Sequence, residues 1–116
     1  MEEEEWPNCL ERVDITVTFY FSKRDPAYTA SGTVASAGSV AADRSIPFGT
    51  QYYIPELSMI REDGVFTVHD RGGAVHGDLI DVYVPNPMRG DPALSAVLRR
   101  GRFKTVGYLI PLTDPA

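Results

Sequence analysis

Residues 68–83 read VHDRGGAVHGDLIDVY, and this stretch carries the turn and the strand on which the fold prediction rests. In its second half, period-two alternation puts Ile80 and Val82 on one face of a strand and Asp81 on the other. Asp70 opens the glycine-rich turn that precedes this strand. The stretch therefore predicts a turn leading into a half-buried strand, with an aspartate at each end of the unit.

The rest of the chain repeats this β-rich pattern. Residues 13–21 alternate apolar and polar side chains and are rich in β-branched and aromatic types. Further short β-rich runs, separated by Gly, Pro, Asp and Ser clusters, lie at residues 38–42, 50–54, 65–69, 79–84 and 105–110. One helix is predicted over residues 91–99, with Asp91 as N-cap and Pro92 in the first turn. Six short strands and one short helix predict an all-β fold, most simply a compact barrel.

Length and charge restrict the classes of function. A chain of 116 residues, 43% of them hydrophobic, suffices for one domain with one modest core. The formal charge of -5 would repel phosphate backbones, so no nucleic-acid partner is expected. No apolar run reaches the roughly eighteen residues of a membrane span. Met1 leads into glutamates rather than a basic and then apolar leader, so we expect no export signal in this chain.

The boundaries expected from composition are an acidic tail over residues 1–12, the barrel domain over residues 13–112 and a short tail over residues 113–116. The single cysteine, Cys9, cannot form an internal disulfide, and it lacks the spacing of a zinc site. His69 and His76 are likewise not at a recognised ligand spacing. We therefore expect neither a metal nor a cofactor.

The carboxylates offer the chemistry. Apolar and aromatic neighbours of Asp81 would desolvate its carboxyl group and raise its pKa, and a nearby Asp70 would push the pKa the same way. Structural explanations stay open. Asp81 could be a solvated strand residue, Asp70 could bond its own turn, and Asp43 could cap a turn or pair with Arg44. Gly72 and Gly73 would allow a positive φ and the close approach of a bulky ligand, but a plain tight turn explains them equally well.

Three segments taken together are more specific than any one of them: YTASG at 28–32, VAADRSIPFGT at 40–50 and the stretch at 68–83. As a set they resemble the three-aspartate (3D) family, which includes peptidoglycan lytic transglycosylases, and the resemblance covers roughly residues 13–112. It implies a six-stranded double-psi β-barrel, in agreement with the strand count obtained without it.

The resemblance also implies an activity: cleavage of the β-1,4 bond between N-acetylmuramic acid and N-acetylglucosamine, with formation of a 1,6-anhydro sugar. Asp81 matches the family's catalytic acid/base, and Asp70 and Asp43 match the two supporting aspartates. We expect the glycan to be contacted by Tyr20, Thr29, Ser31, Gly72, Gly73, Ala74 and His76. Two departures from the family pattern are His76, where lysine is common, and Arg71, where threonine or valine is usual.

The expected partner is the peptidoglycan glycan strand, bound by a monomer without metal or cofactor. The expected location is the cell wall, as a mature or excised domain, or the protein is a phage-encoded lysin. Three rival functions remain open. They are a non-catalytic, expansin-like glycan-binding or wall-loosening module, an inverting glycoside hydrolase on the same barrel, and a purely structural or interaction domain.

Overall fold

The computed structural model describes residues 10–22, 24, 26–85 and 90–111. They form six strands, one α-helix and a 3₁₀ turn at Pro55–Leu57. The strands and helix are β1 (Glu11–Tyr20), β2 (Ser39–Ala41), β3 (Gln51–Tyr53), β4 (Val65–Asp70), β5 (Leu79–Tyr83), α1 (Pro92–Leu98) and β6 (Phe103–Ile110). The predicted strands and the predicted helix are confirmed, each within two residues of its expected bounds.

The six strands close into a barrel in the order β1-β5-β2-β4-β3-β6. Two pairs, β1 with β5 and β2 with β4, are parallel, and the other four are antiparallel. Closure leaves no free sheet edge, which suits a small β domain. The all-β, six-stranded double-psi barrel expected from the sequence is confirmed.

One face of each long strand fills the barrel. Val17 from β1, Phe66 and Val68 from β4, and Ile80 and Val82 from β5 are at most 1% exposed and belong to one apolar cluster. Burying a side chain of this size contributes about 1.5–3 kcal/mol. The alternation predicted for β5 is therefore confirmed, because Ile80 and Val82 point into the core and Asp81 points away from it.

Helix α1 closes one side of this core with the fully buried Leu94. Its N-cap is Asp91, whose carboxylate accepts hydrogen bonds from the backbone N–H groups of Ala93 (2.9 Å) and Leu94 (3.4 Å). Such a cap contributes about 1 kcal/mol. No helix in the described ranges is long and apolar enough to cross a membrane.

A β-bulge interrupts the pairing of β2 with β4. Val40 pairs with Val68, but the next residue, Ala41, pairs with Asp70, so His69 is the extra residue. Phe66 and Val68 point into the core, and strict alternation would send Asp70 there too. The bulge shifts the alternation by one residue. Asp70 consequently shares a face with Ala41, away from the main core.

Strand β1 begins at Glu11, so residues 11 and 12, expected in the tail, belong to the barrel. Residues 1–9 of the expected acidic tail, which include Cys9, and the tail over residues 113–116 lie outside the described residues.

Candidate active site

A row of four paired residues runs across four neighbouring strands. Thr18 on β1 is opposite Asp81 on β5, Asp81 is opposite Ala41 on β2, and Ala41 is opposite Asp70 on β4. Directly paired residues share a face of a sheet. The residue between the two aspartates is the small, uncharged Ala41, which is buried in a cluster with Val75 and Leu79. We call these four residues the aspartate row.

Asp81 is half-buried and has a single hydrogen-bond donor among the described residues. The Thr18 hydroxyl donates to its Oδ1 at 2.8 Å, which leaves Oδ2 without a protein partner in the described part of the chain. Burial raises the pKa of Asp81, the Thr18 hydrogen bond opposes this rise, and the charge of Asp70 adds to it. The partly desolvated carboxyl group with a raised pKa, which the sequence predicted for Asp81, is therefore confirmed.

Asp70 is held in the opposite way, with donors on both carboxylate oxygens. Its Oδ1 accepts from the backbone N–H groups of Ala30 (2.8 Å) and Arg71 (2.9 Å). Its Oδ2 accepts from the Tyr20 hydroxyl at 3.0 Å. Three donors suit an ionised carboxylate rather than a protonated one. Asp70 thus provides a fixed negative charge beside Asp81.

Tyr20 connects β1 with β4, which are not neighbours in the barrel. Its ring packs on Tyr83, with centroids 5.6 Å apart, and on a small second cluster formed by Ala41, Val75 and Leu79. Burial, followed by the charge and hydrogen bond of Asp70, raises the pKa of the Tyr20 phenol well above its usual range. Tyr20 is therefore a neutral donor whose hydroxyl is committed to Asp70.

The segment at residues 28–34 forms a small hairpin beside Asp70, with one bridge between Tyr28 and Val34. Besides the Ala30 bond to Asp70, the Ser31 N–H donates to the carbonyl of His69 at 2.9 Å. Thr29 is 6% exposed, and its hydroxyl lies 3.0 Å from the Ser31 hydroxyl and 2.8 Å from that of Thr33. Thr29, expected to contact the glycan, instead has its polar atom engaged inside the hairpin, whereas Ser31 is partly exposed.

The glycine-rich turn after Asp70 does not use the left-handed backbone that glycine allows. Neither Gly72 nor Gly73 has a positive φ. A Cβ on Gly72 would lie 2.8 Å from Cγ2 of the buried Val75, so close packing explains this glycine. Gly73 and Ala74 are exposed and open to a ligand. The positive φ occurs instead at Gly77, at 65°.

Gly77 connects this turn to Asp43. Its N–H donates to Oδ2 of Asp43 at 2.7 Å, and the Ser45 N–H donates to Oδ1 at 2.8 Å. These backbone hydrogen bonds lower the pKa of Asp43 to about 2. The turn cap foreseen for Asp43 is confirmed. Nδ1 of the exposed His76 lies 4.0 Å from Oδ2, which brings His76 to the Asp43 end of the turn.

Arg71 faces the loop that follows Asp43 rather than an open cleft. Its guanidinium donates to the carbonyls of Ile46 (2.5 Å) and Asp70 (3.2 Å) and lies 4.1 Å from the centre of the Phe48 ring. Sequence reasoning noted Arg71 as a departure from the family pattern but did not find this role. Arg71 and Phe48 lie in separate segments of the chain, so local sequence alone does not reveal that they are in contact.

Thr18 is the second residue that sequence reasoning missed. One indication was available, because Thr18 lies two residues before Tyr20 on the same face of β1. Its hydrogen-bond partner, Asp81, is 63 residues away in the sequence. Among the described residues, no group of three or more His, Cys, Asp or Glu side chains is arranged to hold a metal ion. The structure brings Asp81, Asp70, Tyr20 and the 28–34 hairpin together, and groups Asp43 with His76.

Comparison with known proteins extends this description. Residues 38–90 match the model of the 3D domain, a range that contains all three aspartates. No curated protein matches the chain. The chain is similar to a structure of an E. coli lytic transglycosylase MltA variant with one aspartate replaced by alanine, in an apo form. The TM-score is 0.53 at 23% identity, over 80% of this chain and 30% of that one.

Two further MltA structures from E. coli are similar. One has 26% identity and a TM-score of 0.48, over 78% of this chain and 29% of that one. The other, MltA with bound chitohexaose, has 24% identity and a TM-score of 0.48, over 76% of this chain and 29% of that one. This chain thus spans about a third of the length of the MltA chains. The first likeness shows a shared fold, and residues 38–90 match the 3D domain model, so the resemblance drawn from the three sequence segments is confirmed.

Proposed function

We propose that this protein is a peptidoglycan lytic transglycosylase with Asp81 as its general acid and base. The proposed bond is the β-1,4 linkage between N-acetylmuramic acid and N-acetylglucosamine, and the proposed product carries a 1,6-anhydro-N-acetylmuramic acid end. The 3D domain match and the shared barrel with MltA support the class of reaction. The proposal implies action at the cell wall on glycan strands.

The observation that carries the proposal is the contrast between the two carboxyl groups of the aspartate row. Asp70 accepts three hydrogen bonds and keeps its charge. Asp81 accepts one, and its raised pKa favours the protonated form. A half-buried carboxyl group with a raised pKa beside a second, well hydrogen-bonded carboxylate is an arrangement that suits acid/base catalysis on glycosides.

The proposed reaction has two proton transfers. In the first, Asp81 gives its proton to the glycosidic oxygen, the bond from that oxygen to the anomeric carbon breaks, and an oxocarbenium-like centre forms. In the second, the Asp81 carboxylate takes the proton of the muramyl 6-hydroxyl as that oxygen bonds to the anomeric carbon. The carboxyl group ends protonated, as it began, so one residue serves both steps.

The fixed charge of Asp70 supports both stages of this cycle. Before reaction it favours the protonated form of Asp81, and during reaction it stabilises the positive charge that develops at the anomeric carbon. We propose a more distant role for Asp43, which holds the 71–78 turn through Gly77. Ser31, Gly73, Ala74 and His76 have exposed or partly exposed surface from which they could contact the sugar rings.

The test is mass spectrometry of the soluble fragments released from purified peptidoglycan, with half of each sample reduced by borohydride. Anhydromuramic ends, which borohydride leaves unchanged, are expected from the wild-type chain. The same ends are expected from the control Asp78→Asn, at an exposed aspartate three residues before Asp81. Asp81→Asn is expected to release nothing. Reducible ends would overturn the proposal in favour of a hydrolase. Binding to peptidoglycan without release would overturn it in favour of a binding module.

A further inference from the structure

The two oxygens of the Asp81 carboxyl group have different surroundings. Oδ1 accepts the Thr18 hydroxyl at 2.8 Å, and Oδ2 has no hydrogen-bond donor among the residues that the structure describes. Thr18 and Asp81 are directly opposite in the parallel pairing of β1 with β5, and both backbones are held by that ladder. The bond therefore joins two short side chains on adjacent, rigid strands.

We propose that Thr18 is a positioning residue that fixes Oδ1 of Asp81 and makes Oδ2 the oxygen that donates and accepts the proton. This inference rests on the proposed function for its catalytic meaning. Thr18 donates its only hydroxyl proton to Oδ1, so a protonated Asp81 carries its own proton on Oδ2. Oδ2 gives that proton to the glycosidic oxygen and later takes the proton of the muramyl hydroxyl.

The Thr18 hydrogen bond also acts on the charge that forms between the two steps. Once Asp81 has given up its proton, it is a partly buried carboxylate beside the charged Asp70. A hydrogen bond to an ionised acceptor is stronger than one to a neutral acceptor. Thr18 therefore stabilises the carboxylate more than the acid, and it limits how far burial and Asp70 raise the pKa of Asp81.

The groups around Asp81 come from every strand beside it. The side chains that face it are Thr18 and Tyr20 from β1, Tyr83 from its own strand, Asp70 from β4 and the uncharged Ala41 from β2. Tyr20 is a neutral phenol bonded to Asp70. The pH dependence of Asp81 is therefore set by burial, by Asp70 and by Thr18.

The test compares Thr18→Val and Thr18→Ser with the control Thr16→Val. Thr16 is on the same strand, and its hydroxyl donates at 3.3 Å to Asp78, which is outside the aspartate row. In Thr18→Val, we expect the pKa of Asp81, followed by carboxyl NMR titration, to rise by about one unit. The basic limb of the turnover profile should move upward with it, and maximal turnover should fall about tenfold. Thr18→Ser and Thr16→Val should keep the wild-type pKa and profile.

The NMR titration requires no activity, so the inference and the proposed function fail separately. A wild-type chain that releases no anhydro product would overturn the proposed function, whatever Thr18 does. Active wild-type protein together with unchanged pKa and turnover in a folded Thr18→Val variant would overturn the positioning role. Equal shifts in Thr18→Val and Thr16→Val would also overturn it, because they would indicate a general effect on β1.

Discussion

The guanidinium carbon of Arg71 lies 4.1 Å from the centre of the Phe48 ring, while the same side chain donates to the carbonyl of Ile46. This stack fastens the loop after Asp43 to the turn after Asp70. The two motifs that carry these aspartates are thus joined by a contact between side chains of separate segments, in addition to the barrel ladder.

Arg71→Lys is expected to loosen this connection. A lysine ammonium cannot stack on a ring and bond two carbonyls at the same time, because it lacks the planar fork of the guanidinium. Release of glycan fragments should fall several-fold, while the melting temperature drops by a few degrees at most. The matched control is Arg100→Lys, where another guanidinium lies 3.9 Å from the Phe103 ring. Equal turnover losses in both variants would contradict a role specific to the site.

The neighbouring glycines provide a second prediction. Gly72→Ala would place a Cβ 2.8 Å from Cγ2 of the buried Val75, and this overpacking should cost about 1–3 kcal/mol of the free energy of unfolding. Gly73→Ala meets nothing within 4 Å and has no positive φ to strain, so it should be neutral or slightly stabilising. Urea unfolding of both variants measures the difference. Equal destabilisation would show that the turn needs glycine for another reason.

A third prediction concerns the pH dependence of stability at Asp81. Its pKa in the folded protein is raised above the ordinary aspartate value of 3.8, so its contribution to stability is fully present below that value and is lost as pH rises through the folded pKa. Asp81→Asn keeps an acceptor for Thr18 and carries no charge. Its melting temperature should therefore exceed that of wild type by an amount that grows from pH 4 to pH 7. A gap that does not change with pH would contradict the raised pKa.

Asp43 should show the opposite sign. The pKa of Asp43 in the folded protein is about 2, below the ordinary aspartate value of 3.8. Its stabilisation is therefore present above that ordinary value and is lost as pH falls through about 2. Asp43→Asn should be less stable than wild type at neutral pH, and the difference should shrink on acidification between these two values.

The control for this fourth prediction is Asp63→Asn, at a residue that lies two positions before β4 begins. The pKa of Asp63 is also lowered, chiefly by a hydrogen bond from the backbone N–H of Val65. Both variants should lose stability at neutral pH, but only Asp43→Asn should also reduce the release of glycan fragments. Reduced release in both would attribute the effect to stability rather than to the 71–78 turn.

The sequence sufficed for the strands and for the setting of Asp81, because both depend on local alternation. Ile80 and Val82 point inward and Asp81 outward as period two requires. The three sequence segments likewise pointed to the domain model that residues 38–90 match. These features depend on short windows of the chain, where side-chain pattern and backbone geometry determine each other.

What the sequence did not reveal depends on pairing across long separations. The Thr18 bond to Asp81 spans 63 residues, and the Tyr20 bond to Asp70 spans 50. No local pattern specifies which strands become neighbours. The constraint at Gly72 is likewise not local in the sequence pattern, because it comes from the approach of Val75 in the folded turn rather than from a backbone angle. From the sequence, the Thr29 hydroxyl is expected to contact the glycan, whereas in the folded hairpin it lies 2.8 Å from the Thr33 hydroxyl.

The bulge at His69 shows how little is needed to give such a barrel an acidic site. If β4 continued with regular pairing and no bulge, alternation would direct the Asp70 carboxyl group into a hydrocarbon interior, where an ionised group is costly to bury. With the bulge, the same aspartate reaches the face that carries Asp81. A backbone irregularity only one residue long therefore decides whether the two carboxyl groups share a face, although it changes no side chain of the barrel.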